Sequence, residues 1–194
     1  VRRNMTFYGA EVLCAIEHLH NCNIVFRDLK PEHVIIDPQG HCNLVDFGFA
    51  KQFKSNRSRR EMRTYTNCGT PTYIAPEVLK GAGSSFEIDI WSFGVFIAEI
   101  ISGTTPFFDD SPMKTYENVV YCRPKFHSSH DSNVRDLLNR IFVTDPGSRI
   151  SIEDIKTHTV FKSIQWDQAR KKIMVPPFIP DDQQSYHNCN RDNK

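Results

Sequence analysis

Three charged side chains in the first quarter of this sequence could do chemistry together. Asp28 and Lys30 are one residue apart in Phe26-Arg27-Asp28-Leu29-Lys30-Pro31-Glu32-His33, and Asp46 follows just before Phe47-Gly48. Phosphoryl transfer needs a carboxylate that accepts a hydroxyl proton and an ammonium group that neutralises developing phosphate charge. It also needs a second carboxylate that can hold Mg²⁺. Three solvated surface charges are the competing reading, and residue types alone do not decide between the two.

Such groups must be carried on loops held by regular elements. Phe7, Ala10, Leu13, Ile16 and Leu19 recur at helical spacing and predict a helix over residues 5–20. Short β-type runs are predicted at Ile24–Phe26, Val34–Ile36 and Asn43–Val45, with Asp37-Pro38-Gln39-Gly40 as a turn. Asp28 and Lys30 fall between two of these runs, and Asp46 falls at the end of the third. Residues 46–77 read as a long irregular segment, of the kind that is functional or disordered. Residues 85–102 are apolar nearly all round, which predicts a helix buried on every side and stopped by Gly103. Residues 132–143 carry an amphipathic pattern, and Ser151-Ile152-Glu153-Asp154 resembles a capping box. From Asp181 on the chain is polar and without period, which predicts a mobile end. The predicted class is α+β, mainly helical, with small β pieces clustered near the front.

Bulk properties narrow the partners. The chain has 194 residues, 24% charged, and a net charge of +1, so no electrostatic excess points to nucleic acid or to an anionic membrane. The most apolar run, Ile88 to Ile101, contains Asp89 and Glu99 and is too short to span a bilayer. Six cysteines lie at irregular spacing without a CxxC pair, which predicts reduced thiols in a cytosolic protein. Asn4-Met5-Thr6 and Asn56-Arg57-Ser58 match a glycosylation sequon, and without a secretory signal we read both as chance. The opening Val1-Arg2-Arg3 is read as a cut inside a longer protein.

Four segments then occur in a telling order. They are Phe26 to Glu32, Val45-Asp46-Phe47-Gly48, Gly69-Thr70-Pro71-Thr72-Tyr73-Ile74-Ala75-Pro76-Glu77 and Asp89-Ile90-Trp91-Ser92-Phe93-Gly94. This series resembles the eukaryotic protein kinases. Asp46 to Lys51, Cys68-Gly69-Thr70-Pro71 and Pro176-Pro177-Phe178-Ile179-Pro180 resemble the AGC group of Ser/Thr kinases. Leu44 to Lys51 and Pro112 to Tyr116 are most similar to the cyclic-nucleotide-dependent kinases, the cGMP-dependent branch especially.

The resemblance implies a protein kinase-like fold of which this chain is the large C-terminal lobe. Residues 1–162 would be that lobe, with an activation segment over 46–77, and residues 163–194 an AGC-type tail. The implied reaction moves the γ-phosphoryl of ATP to Ser/Thr hydroxyls, with Asp28 as catalytic base, Lys30 on the γ-phosphate and Thr70 hydrogen-bonded near Asp28. Lys30, Glu32, His33 and Asp46 would face the nucleotide, and Asp46 would be the principal Mg²⁺ ligand. Glu32 and Glu99 would recognise arginines upstream of the target hydroxyl, so the implied partners are protein substrates with basic residues there. Glu77 and Arg149 would form a buried structural ion pair, and Asp89 would brace the catalytic loop. Thr66 would be an activation phosphosite, with Arg27 and Lys51 on its phosphate. The basic run from Lys51 to Arg63 otherwise reads as a nuclear-localisation patch or a solvated loop. A cytoplasmic or nuclear location goes with this set.

The chain also departs from the family. Phe26 replaces His or Tyr and keeps the aromatic ring. Thr72 stands where AGC members carry Glu, which weakens the case for arginine preference. His33 stands where the family has an Asn that binds the second Mg²⁺. Imidazole suits softer metals than Mg²⁺, so His33 is expected to weaken that site, to shift preference towards Mn²⁺, or to leave Asp46 with one ion. A neutral imidazole can still hydrogen-bond Asp28. No Gly-rich phosphate loop or strand lysine occurs in these residues, so a missing N-terminal kinase lobe is implied and the isolated chain is expected to be inactive. The alternative is a pseudokinase or a truncated lobe acting as a protein-interaction module.

Overall fold

The computed structural model describes residues 2–54, 61–66 and 69–180. The fold is mainly helical with two small sheets. Helix α1 (Arg2–Asn21) leads into β1 (Ile24–Val25), then β2 (Val34–Ile36), β3 (Cys42–Leu44) and β4 (Lys51–Gln52). After a turn of 3-10 helix at Pro71–Tyr73 come α2 (Pro76–Leu79), α3 (Glu87–Ser102), α4 (Pro112–Val120), α5 (Ser132–Ile141), α6 (Ile152–Thr157) and α7 (Trp166–Arg170).

Helix α3 is the centre of the core. Every residue from Ile88 to Ala98 is buried, because its apolar side chains circle the axis and leave no solvent face. It ends as its sequence predicts: Gly103 takes φ 77°, and its N–H bonds the Glu99 carbonyl. Helix α1 packs Ala10, Leu13 and Ile16 against α3 from one side, and α5 packs Leu137, Leu138 and Ile141 from another. At Gly94 an added Cβ would lie 2.5 Å from Ile141 Cγ2, so the close approach of α3 and α5 excludes a side chain there. Asp131 caps α5 by accepting from Val134 N–H, and Ser151 caps α6 by accepting from Asp154 N–H.

The two sheets are antiparallel pairs. Strands β2 and β3 form a hairpin in the register Val34↔Leu44, Ile35↔Asn43 and Ile36↔Cys42. Strand β1 pairs with β4 as Ile24↔Gln52 and Val25↔Lys51. The irregular segment expected over 46–77 is therefore interrupted by β4, by the 3-10 turn and by α2. Strand β4 was invisible to patterning because Lys51 and Gln52 are both exposed and do not alternate. Only main-chain pairing with β1 defines them.

Helix α7 and the chain after it lie on α1 and on the hairpin. Arg170 Nη2 reaches Glu17 Oε2 at 3.4 Å, and Lys172 Nζ bonds Asn43 Oδ1 at 2.6 Å. Gly40, at φ 89°, passes so close to this run that a Cβ would meet the Phe178 carbonyl oxygen at 2.3 Å. The mobile end expected from Asp181, the sequon at Asn56, Cys68 and residues 55–60 of the basic run lie outside the described residues. No helix among the described residues is long and apolar enough to cross a membrane.

Candidate active site

The loop between β1 and β2 is fixed from below by α3. Asp89, fully buried in the first turn of that helix, accepts from the backbone N–H of Phe26 at 2.9 Å and of Arg27 at 2.8 Å. His20 at the end of α1 completes the clasp, with Nε2 at 2.8 Å from Asp89 Oδ2 and its ring edge-on to Phe86. This bracing holds Arg27 at φ 72°, a left-handed conformation that costs about 1–3 kcal/mol for a non-glycine residue. Asp46 also takes a positive φ, 61°. Strained backbone thus flanks both carboxylates of the candidate site.

Asp28 follows Arg27 and is nearly sealed, its side chain 4% exposed. Oδ1 accepts both the backbone N–H of Thr70 at 3.1 Å and the Thr70 hydroxyl at 3.0 Å. Lys30 Nζ lies 3.0 Å from the same hydroxyl oxygen and 3.6 Å from Asp28 Oδ2. Gly69, at φ 112°, passes the Arg27 carbonyl so closely that an added Cβ would lie 3.0 Å from its oxygen, and the next residue, Thr70, reaches Asp28. The three residues that sequence placed at the reaction centre therefore meet in one cluster.

His33 stands between the two carboxylates. Its Nδ1 is 2.7 Å from the backbone carbonyl oxygen of Asp28 and 3.4 Å from Asp28 Oδ2. Its Nε2 is 3.5 Å from Asp46 Oδ2. Asp46 itself is open, its side chain 61% exposed, with Oδ1 accepting the Gly48 N–H. Asp46 suits a hard divalent ion as one anionic oxygen donor beside open solvent. His33 does not suit the second hard-ion position, since it offers nitrogen where Mg²⁺ requires oxygen. Among the described residues no group of three or more His, Cys, Asp or Glu gathers as a metal site.

The Tyr73 phenol bonds Glu99 Oε2. Burial, then the Glu99 hydrogen bond and charge, with a smaller push from Glu32, drive the Tyr73 phenol well above its ordinary range. Glu77 and Arg149 form the buried pair expected, with Arg149 Nη1 at 2.9 Å from Oε1 and Nη2 at 3.0 Å from Oε2. Arg27 donates to the Phe49 carbonyl and, at 3.2 Å, to Thr64 Oγ1, while Thr66 and Lys51 are both exposed.

Several contributors escaped sequence reasoning: His20, Tyr73, Thr64, and the pair of Glu11 with His41 at 2.6 Å. Glu11 also accepts the Cys42 N–H at 2.8 Å, which ties α1 to the hairpin carrying Asp46. One of these had a usable signal. Glu11 is an acid one turn from Phe7 on the buried stripe of α1, and a buried carboxylate requires partners.

A braced loop with a sealed acid, a lysine and a threonine on one carboxylate, facing a second open acid, is the arrangement of phosphoryl-transfer enzymes. Residues 2–161 match the family model of the protein kinase domain, and the chain belongs to that family. It is similar to the cAMP-dependent protein kinase catalytic subunit PRKX of Mus musculus, 40% identical over 179 residues, covering 90% of this chain and 48% of the relative. It is also similar to cAMP-dependent protein kinase type 3 of Saccharomyces cerevisiae, 40% identical over 183 residues, covering 92% and 44%. Protein kinase C delta type of Rattus norvegicus is 38% identical over 178 residues, covering 90% and 26%. The chain spans about half the length, or less, of the curated relatives it matches.

Proposed function

We propose that this chain is the C-terminal lobe of an AGC-type Ser/Thr protein kinase that phosphorylates hydroxyls preceded by basic residues. The observation that carries the reading is the cluster of Thr70 and Lys30 on Asp28. Thr70 occupies Oδ1, which leaves Oδ2 to accept the proton of an attacking Ser or Thr hydroxyl. The hydroxyl oxygen bonds the γ-phosphorus as the bond to the β,γ-bridging oxygen breaks, and the proton ends on Asp28. Lys30, next to Oδ2, meets the charge that develops on the transferred group. A divalent ion on Asp46 would neutralise nucleotide phosphate charge. Glu32 and Glu99 would receive the arginines, and the phenol–carboxylate bond of Tyr73 would hold Glu99 in place.

Residues 1–162 form the lobe, with the activation segment at 46–77, and residues 163–194 the tail in this proposal. ATP binding and positioning require a second lobe to close over it. Thr66 is the proposed phosphosite; its exposure makes it accessible, and its phosphate would draw Arg27 from Thr64. The assignment to the cGMP-dependent branch rests on Leu44 to Lys51 and Pro112 to Tyr116 alone. A cytoplasmic or nuclear site of action belongs to the same proposal.

The test is phosphoryl transfer by the full-length protein to a Ser peptide with upstream arginines and to its alanine counterpart. Faster transfer to the arginine peptide is expected, and equal rates would remove Glu32 and Glu99 from substrate recognition. One observation favours a second reading, a pseudokinase or interaction module: His33 replaces an oxygen ligand beside Asp46. No transfer to either peptide in Mg²⁺ or Mn²⁺ would select it.

A further inference from the structure

The two ring nitrogens of His33 do different work. Nδ1 is 2.7 Å from the Asp28 carbonyl oxygen, which can only accept. Nδ1 therefore carries the hydrogen, and the lone pair of the neutral ring sits on Nε2. Nε2 stands 3.5 Å from Asp46 Oδ2, outside the roughly 2.7–3.2 Å of a normal N–H···O bond. Two donors each about 2.1 Å from a shared ion lie about 3.0 Å apart in octahedral and about 3.4 Å apart in tetrahedral geometry. The His33–Asp46 separation of 3.5 Å lies just beyond the tetrahedral value.

Two further features point the same way. Metal-binding imidazoles are usually oriented by donating their second ring N–H to a carbonyl or carboxylate, which is the bond His33 makes. The ring is buried, 8% exposed and edge-on to Phe26, so it cannot turn away. Asp46 is open on its outer side, which leaves room for water or phosphate oxygens to fill further positions.

We infer that His33 Nε2 and Asp46 Oδ2 form a mixed nitrogen–oxygen site for one first-row transition-metal dication, taken in preference to Mg²⁺. Nitrogen donors favour such ions over hard Mg²⁺. The inference rests on the reading of Asp46 as a metal ligand.

Mn²⁺ binding to the full chain, followed by electron spin-echo spectroscopy, tests it. Wild-type protein should show ¹⁴N modulation from a coordinated imidazole. His33→Asn should abolish that modulation and weaken Mn²⁺ binding by about 10-fold or more. Absence of Mn²⁺ binding, bound Mn²⁺ without ¹⁴N modulation, or unchanged behaviour in His33→Asn would overturn the inference. Asp46→Asn separates the two levels. Weaker binding in Asp46→Asn but not in His33→Asn sinks the mixed site alone; no change in either variant sinks the reading of Asp46 as well.

Discussion

Two regions of the molecule set carboxylates against cationic groups, and they finish the job to different degrees. At Glu77 and Arg149 both carboxylate oxygens are taken, and the guanidinium also donates to the carbonyls of Glu87 and Val143. The same guanidinium lies 5.1 Å above the Trp91 ring. At Asp28 one oxygen is saturated by Thr70, but the other has its nearest nitrogen atoms, His33 Nδ1 and Lys30 Nζ, at 3.4 and 3.6 Å. A carboxylate with both oxygens taken has nothing left to offer a reactant and serves the architecture. The unsaturated one keeps an oxygen without a short hydrogen bond, and the braced loop holds it in place.

Breaking the saturated region should have the largest effect. Arg149→Ala leaves a buried carboxylate unpaired and should cost about 3–5 kcal/mol of stability, read as a lowered denaturant midpoint. A midpoint within error of wild type would show that the pair is not structural. Asp89→Ala strands the N–H groups of Phe26 and Arg27 together with His20, each worth about 1–3 kcal/mol when left unsatisfied. It should also raise hydrogen exchange at Phe26 and Arg27, which sharpens the comparison because the lesion falls on the loop carrying Asp28. Thr70→Val removes one hydroxyl from the half-open site and should cost only about 1 kcal/mol, seen as a small shift in a thermal melt.

The pH profile should show the smallest and broadest effect. Burial, followed by the charge of Glu11, raises the Cys42 thiol above its ordinary 9.0, and burial with Glu99 raises the Tyr73 phenol above 10.0. The folded chain keeps these groups neutral while the unfolded chain ionises them. Their contribution is therefore full below pH 9 and declines as pH rises further. Hydrogen bonds from Lys125, His158 and Ser148 hold Asp109, Asp136 and Asp145 below their ordinary 3.8. Their contribution is present above that value and is lost as pH falls through the lowered range. Melting temperature against pH should show a plateau with both declines, and Tyr73→Phe should soften the alkaline one.

Much of the scaffold was legible because it is periodic. The all-round apolar run from Ile88, the stop at Gly103 and the hairpin strand Val34–Ile36 are local signals that the fold obeys. Strand β4 was not legible, since two exposed polar residues become a strand only when β1 supplies the partner. In the site, Asp28, Lys30, Thr70 and Asp46 were named through resemblance, and the fold brings them together. The partners of Arg27 and Asp89 were harder, because pairs such as Thr64 with Arg27 or His20 with Asp89 leave no periodic trace. His33 was legible as an altered residue, but the direction of its nitrogens depends on the Asp28 carbonyl and could only come from the fold.

The central claim is that the open oxygen of Asp28 does chemistry while the sealed pair does not. The most direct measurement compares wild type and Asp28→Asn in the full-length protein, by phosphoryl transfer from ATP to an arginine-containing Ser peptide and by thermal melting. The account predicts a loss of about 10²–10⁴-fold in rate with a melting temperature close to wild type. Wild-type rates in Asp28→Asn, or a loss of activity that only follows unfolding, would contradict it.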